Sequence, residues 1–162
     1  MIRAIFKRGK ATFSAAKRGP FFQTAPKLGN QYIQDPFMAK QLAIELPAEM
    51  FAAIQSDLTA FGARVGDEIY ELHLEAEANP PRVEHYDPWG NRVDRLITCD
   101  AWKRMKSISA REGLVAIPYE RKYAEFSRLY QLVKLYMFAP SSGMYGCPLA
   151  MTDGAAKTLE VS

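Results

Sequence analysis

The stretch YERKYAEFSRLYQLVKLYM, residues 119–137, follows directly on Pro118 and decides the fold. Its apolar positions Tyr119, Tyr123, Phe126, Tyr130, Val133 and Met137 advance in steps of four, three, four, three and four. That spacing predicts one amphipathic helix of about five turns with an aromatic stripe. Leu129, Leu132, Leu135 and Tyr136 widen the apolar arc until little of the C-terminal half is polar. Such a helix is expected to be central, buried among several neighbours. Ala139-Pro140-Ser141-Ser142-Gly143 ends it.

Outward from this helix the chain reads as more helices and one hairpin. Before it, Met50, Phe51, Ile54, Leu58, Phe61 and Val65 recur at helical steps after Pro47, which a first helical turn tolerates. Gly62 and Gly66 are expected to interrupt that helix, with Asp67 capping a second one over 67–78 that Asn79-Pro80-Pro81 stops. The period then changes. Residues 82–86 and 92–97 alternate β-formers with polar residues around Asp87-Pro88-Trp89-Gly90-Asn91, where Pro88 and Gly90 suit the two corners of a turn. A hairpin over about 82–97 follows, and because two strands alone are marginal in water it is expected to lie against helices. Asp100 caps a helix through Ala101, Trp102, Met105 and Ile108 that weakens at Gly113. A last helix runs from Cys147-Pro148-Leu149-Ala150-Met151-Thr152 through Ala155, Ala156 and Leu159, and the absence of a C-cap signal at Ser162 reads as a helix cut short. The fold class expected is mainly α with one short hairpin.

Composition limits the functions. At 162 residues, 48% hydrophobic and 24% charged, the chain has the make-up of one globular domain. Cys99 and Cys147 lack the spacing of a disulfide framework or a zinc ribbon. Apolar runs are broken by Lys134 and Pro140 well short of a membrane span. The net charge of +3 averages two unlike pieces. Residues 1–30 hold seven basic groups and no acid, whereas the remainder sets 14 basic against 18 acidic groups. Ile2, Ile5, Phe6 and Phe13 fall at helical spacing in the first piece, with the cations mostly on the other side, as in a mitochondrial presequence. The alternative is a basic tail touching nucleic acid or anionic lipid without specificity. The expected division is a basic presequence-like segment over 1–20, an extended opening segment over 21–46 and a helical domain over 47–162. The localisation expected is the mitochondrial matrix, with the cytoplasm as alternative.

Catalytic motifs are missing. There is no Gly-x-Gly-x-x-Gly after a strand, no Gly-Lys-Ser/Thr phosphate loop and no His-Glu-x-x-His. His73 and Glu77 have an i, i+4 spacing that a metal would accept, but a solvated acidic face explains them as well, and no metal site is assigned. Cys147, between Gly146 and Pro148 at a helix start, is either a thiol activated by free amides or a buried small hydrophobe, and the second is favoured.

Asn79-Pro80-Pro81, Tyr86-Asp87 with Gly90 and Arg92, Asp94, Ala101-Trp102 and the run 147–152 resemble, in that order and spacing, the N-terminal domain of the AidB-like branch of the acyl-CoA dehydrogenase family. Phe22-Gln23, Pro26, Leu28, Asn30 and Tyr32 are similar to its opening segment, so the resemblance covers about 21–162. It implies a flavoprotein with a helical N-terminal domain, a middle β-domain and a C-terminal helical bundle, assembled as a homo-oligomer. It also implies oxidoreductase activity in fatty acid metabolism, in which a glutamate removes the α proton of an acyl-CoA and FAD takes the β hydride before an electron acceptor reoxidises it. The resemblance places the FAD contacts and the catalytic glutamate beyond Ser162, so neither a catalytic nor a cofactor-binding residue is assigned here, FAD belongs to the full-length family, and this chain alone is expected to be inactive. What it leaves to this domain is part of the wall around the acyl chain and the interface to the other domains. Tyr145, Cys147, Met151 and Thr152 are the substrate-channel candidates. The alternative is a non-catalytic helical module for a fatty-acyl chain or a protein partner. A specific nucleic-acid role is disfavoured by the acidic body, although some AidB-like proteins associate with DNA.

Overall fold

A computed structural model describes residues 26–161; the presequence-like segment lies outside them. The order of elements is α1 (Pro36–Glu45), α2 (Ala48–Arg64), a π turn (Val65–Ile69), α3 (Tyr70–Ala78), β1 (Arg82–Tyr86), β2 (Arg92–Ile97), α4 (Asp100–Arg111), a short α5 (Ile117–Glu120), α6 (Ser127–Phe138) and α7 (Gly146–Val161), with 3₁₀ turns at Ala124–Phe126 and Ala139–Ser141. Among the described residues this is the mainly α architecture with a single hairpin that the periodicities imply.

The opening segment is not extended throughout. Asp35 accepts the Met38 amide at 2.9 Å and Pro36 fills the first turn, so α1 forms and buries Met38 and Leu42 on one face. Upstream, residues 28–32 run across α2, and this is why Gly62 and Gly66 do not break the helix. A Cβ at Gly66 would meet the Gly29 carbonyl oxygen at 2.1 Å, and one at Gly62 the Tyr32 amide nitrogen at 2.6 Å. Both glycines are places of close backbone approach, and Asn30 fastens the crossing by donating to Thr59 O at 2.8 Å. The Gln31 amide donates to Gly62 O at 3.0 Å. An outside donor on a helix carbonyl loosens the ladder, and from Val65 to Ile69 the chain adopts π geometry before α3 resumes. No new cap at Asp67 is needed.

The core is continuous across α1, α2, the π turn, α4, α6 and the start of α7. Leu58, Val65, Ile69, Ala101, Met105, Leu114 and Phe138 are fully buried, and Phe61 stacks on Phe138 with centroids 6.5 Å apart. α4 begins one residue earlier than expected, because Cys99 Sγ, not Asp100, accepts the Trp102 amide at 3.5 Å.

Two departures concern the deciding stretch. The helix over 119–137 is broken: Arg121 and Ala124 take φ of 53° and 47°, a left-handed conformation that separates α5 from α6. Ser127 Oγ accepts the Tyr123 amide at 3.0 Å across the break, and the Tyr119 hydroxyl is drawn away to Asp153 on α7. Tyr123 nevertheless meets Tyr130 edge-on at 5.7 Å. In α6 itself Gln131 and Lys134 are buried, whereas Leu132 and Tyr136 are 51% and 64% exposed, so the arc expected to be buried is partly open.

The hairpin departs too. β1 and β2 pair antiparallel with Val83 opposite Leu96 and Glu84 opposite Arg95, and a bulge follows with Asp94 at φ 42°. Yet no residue of either strand is buried. The hairpin stands away from the helices, held by side-chain pairs such as Arg95 with Glu84 and His85 with Asp94 at 2.8 Å.

Candidate functional site

Of the four channel candidates, Tyr145 is buried and lies edge-on to Trp102 at 4.9 Å. Burial raises its hydroxyl above the ordinary tyrosine range. It is a packing residue of the core. Cys147, favoured as a buried hydrophobe, is instead exposed, because the first turn of α7 turns only Leu149 inward. Met151 is 72% exposed, and Thr152 donates back to Pro148 O at 2.8 Å within its own helix. Helical geometry places Cys147, Met151, Ala155 and Thr158 along one side of α7, opposite Leu149, Asp153 and Glu160.

That opposite side is clamped. Asp153 receives the Tyr119 hydroxyl at 2.5 Å and Arg128 at 2.6 Å, and Gln131 approaches at 3.4 Å while donating to Leu114 O at 2.8 Å. Burial pushes the Asp153 carboxyl up, but these donors outweigh it and leave its pKa below the ordinary aspartate value. Glu160 pairs with Arg121 and, at 2.6 Å, with Lys157. One face of α7 is thus fixed to α5 and α6 by charge, and the other, carrying Cys147 and Met151, faces outward.

A second cluster lies inside. Lys134, 3% exposed, donates to Asp57 at 3.0 Å and to Glu112 at 2.9 Å, with its ammonium 4.8 Å from the Phe61 ring centroid. The Tyr130 hydroxyl donates to Asp57, and Arg64 bonds Glu112 and, at 2.9 Å, Glu68. Burial first, then that bond to Asp57, raises the Tyr130 hydroxyl far above its ordinary value, so it remains a donor. All of these groups have partners, as buried charge requires. The sequence marks Tyr130 only as part of the aromatic stripe and Lys134 only as a break in an apolar run, and does not point to Asp57, Arg64 or Glu112. The available signal was a lysine inside an apolar arc.

His73 stacks on Tyr70 at 6.0 Å with its Nδ1 buried and without a hydrogen bond. Among the described residues no group of three or more His, Cys, Asp or Glu is placed to hold a metal ion, and no helix is long and apolar enough to cross a membrane.

A cation-lined groove of about 450 Å³ lies beside Tyr119, Arg121, Arg128 and Lys157. Its cations are already matched, Arg128 by Asp153 and the other two by Glu160. This donor set does not fit the pyrophosphate of a flavin dinucleotide, which would need unpaired cations or free backbone amides.

The fold and surfaces define a helical domain with a protruding hairpin, a clamped terminal helix and an open apolar side. The chain matches the N-terminal domain of the adaptive response protein AidB over residues 24–162 and belongs to that family, as an N-terminal domain of the AidB-like acyl-CoA dehydrogenases. It is 45% identical over 148 residues to acyl-CoA dehydrogenase family member 11 of Caenorhabditis elegans, across 91% of this chain and 24% of that protein. The solved structure of Bd2924 in its apo form superimposes with a TM-score of 0.81 at 40% identity, across 87% of this chain and 28% of that one. The chain therefore spans about a quarter of the length of these relatives.

Proposed function

We propose that this domain serves an FAD-dependent dehydrogenation of fatty-acyl-CoA as its N-terminal part, supplying acyl-chain wall and domain interface through the outward face of α7. The observation that carries this reading is the α7 arrangement: charge clamps one side to the domain, while Cys147 and Met151 stand exposed on the other. An exposed Met on a rigidly held helix suits an adaptable apolar contact. The flavin and the base that removes the α proton belong to polypeptide outside this chain. FAD bound there would supply the hydride acceptor, while the α7 residues of this chain would contact the acyl chain and keep water from it.

The purified 162-residue chain is expected to show no flavin absorbance and no acyl-CoA oxidation, and bound FAD with turnover would overturn the division of labour. In the corresponding full-length enzyme, Met151→Trp should raise KM for long acyl chains while leaving kcat on short ones unchanged. Unchanged KM across chain lengths would remove α7 from the wall. The basic N-terminal segment is consistent with import into the mitochondrial matrix, checked by whether mitochondria cleave the chain before Thr24.

A further inference from the structure

We propose that the basic segment over residues 1–25 docks on its own domain, laying an amphipathic helix over 2–13 into the apolar groove between α1 and α6 and so withholding its cations from other partners. The contact lies apart from the α7 face and depends neither on the function proposed above nor on import.

The groove is an open apolar surface with a charged rim. It measures about 270 Å³, is floored by Leu42 and Leu129 and is bordered by Phe37, Leu132 and Tyr136. Phe37, in the first turn of α1, is 75% exposed. Asp35 and Glu45, at the two ends of α1, line the same groove. Asp35 accepts the Met38 amide and, at 3.2 Å, the Tyr136 hydroxyl, and Glu45 accepts the Gln41 side-chain amide at 2.8 Å. These donors are neutral, so among the described residues neither carboxylate has a cationic partner. Two such carboxylates disfavour a fatty acid or an anionic headgroup there and favour a visitor apolar on one face and cationic at its borders.

The N-terminal segment has that make-up. Ile2, Ile5, Phe6 and Phe13 share one side of a helix, Arg3, Lys7, Arg8 and Lys10 fall mostly outside it, and no acid occurs before Asp35. Residues 2–13 as a helix run roughly 18 Å, against roughly 15 Å for α1. The chain also arrives at the right place. Gln31 and Gln34 border a second hollow together with Asp35 and Tyr136, which that hollow shares with the groove. The chain therefore stands beside the groove a few residues after Pro26, the first residue described. Residues 14–25 span up to about 40 Å when extended, ample for the return. So short a tether holds the segment at an effective concentration on the order of millimolar, at which even a weak contact is made. The acidic side of α3, with Glu71 and Glu75, is the rival surface, but of its two leucines Leu72 is buried and only Leu74 is exposed to meet the apolar side chains.

Trypsin reads the contact on the 162-residue chain, because the segment carries its own cleavage sites. Cleavage after Arg3, Lys7, Arg8 and Lys10 should be slower by roughly tenfold or more than in Ile5→Ser/Phe6→Ser, whose changes leave the described domain intact. Phe37→Glu and Leu132→Glu, at exposed groove positions, should each restore the fast rate. Glu45→Lys should also speed cleavage, whereas Glu71→Lys with Glu75→Lys on α3 should not. From the groove side, the Leu129 and Leu132 methyl resonances should shift in Ile5→Ser/Phe6→Ser. Released cations should also show: Phe37→Glu should bind phosphatidylglycerol vesicles more tightly than the unaltered chain, although it adds a negative charge. Equal tryptic rates in all these proteins, or leucine methyls that do not move, overturn the proposal. So does protection lost through the α3 substitutions instead, or protection that falls on dilution, which would give the groove to a second copy. Cleavage before Thr24 by mitochondria reads a separate event, so failure of the import reading leaves these results unchanged.

Discussion

Lys134 shows how one residue can organise three helices. It sits on α6, and its two carboxylate partners come from α2 and α4's C-cap, Asp57 and Glu112. With both in place the buried ammonium is compensated; without it, Glu112, only 13% exposed, retains a charge answered by Arg64 alone. Lys134→Ala is therefore expected to cost about 3–5 kcal/mol, the range for breaking rather than replacing a buried pair, read from urea unfolding. A loss below about 1 kcal/mol would mean that water already solvates the site. Asp153 gives the pH counterpart. Its folded pKa lies below the unfolded value, so its stabilisation is present above the ordinary aspartate pKa and is lost as pH falls through the depressed folded one. Asp153→Asn should lower stability at neutral pH by about 1–3 kcal/mol and flatten the pH dependence below about pH 4. Denaturant midpoints measured across that range check it, and parallel curves for the two proteins would refute it.

At the level of elements, legibility followed contact rather than backbone. The 4-3-4-3-4 stripe correctly joined Tyr123 to Tyr130, since those rings meet, but it could not report that Arg121 and Ala124 leave the helical region. A left-handed residue without glycine is stabilised by what surrounds it, here the Tyr119 bond to Asp153, more than thirty residues away. The glycines failed in the opposite sense. Gly62 and Gly66 have low helix propensity, yet they lie inside a helix because another segment needs the missing Cβ. Gly66→Ala should thus destabilise the chain by about 1–3 kcal/mol, although alanine is the better helix former, because its Cβ would press on the Gly29 carbonyl. Thermal unfolding distinguishes the two, since propensity alone predicts a gain. Asp35-Pro36 was a readable start signal for α1, and only its short apolar pattern, Met38 and Leu42, hid it within a segment expected to be extended.

For the whole molecule, the exposed surfaces differ in kind, and that difference can be measured. The expected hairpin, helices and AidB-like character were legible because they are local spacings and ordered motifs. Which faces remain open was not, since exposure depends on what all other elements cover: Leu132 and Tyr136 lie in the same apolar arc as Val133 and Met137, yet only the latter two are buried. Cys147 and Cys99 turn this into an experiment. Cys147 is exposed on the outward side of α7, whereas Cys99 is half-buried with its sulfur engaged by the Trp102 amide. A thiol reagent should label Cys147 first in the isolated chain, with Cys99 reacting only as the start of α4 opens. If the outward face of α7 is an interface to further polypeptide, as proposed, the equivalent cysteine in a full-length protein carrying this domain should be protected at least tenfold, on the order of a contact worth 1.4 kcal/mol. Equal labelling in both contexts would leave α7 facing solvent and would remove it from the interface.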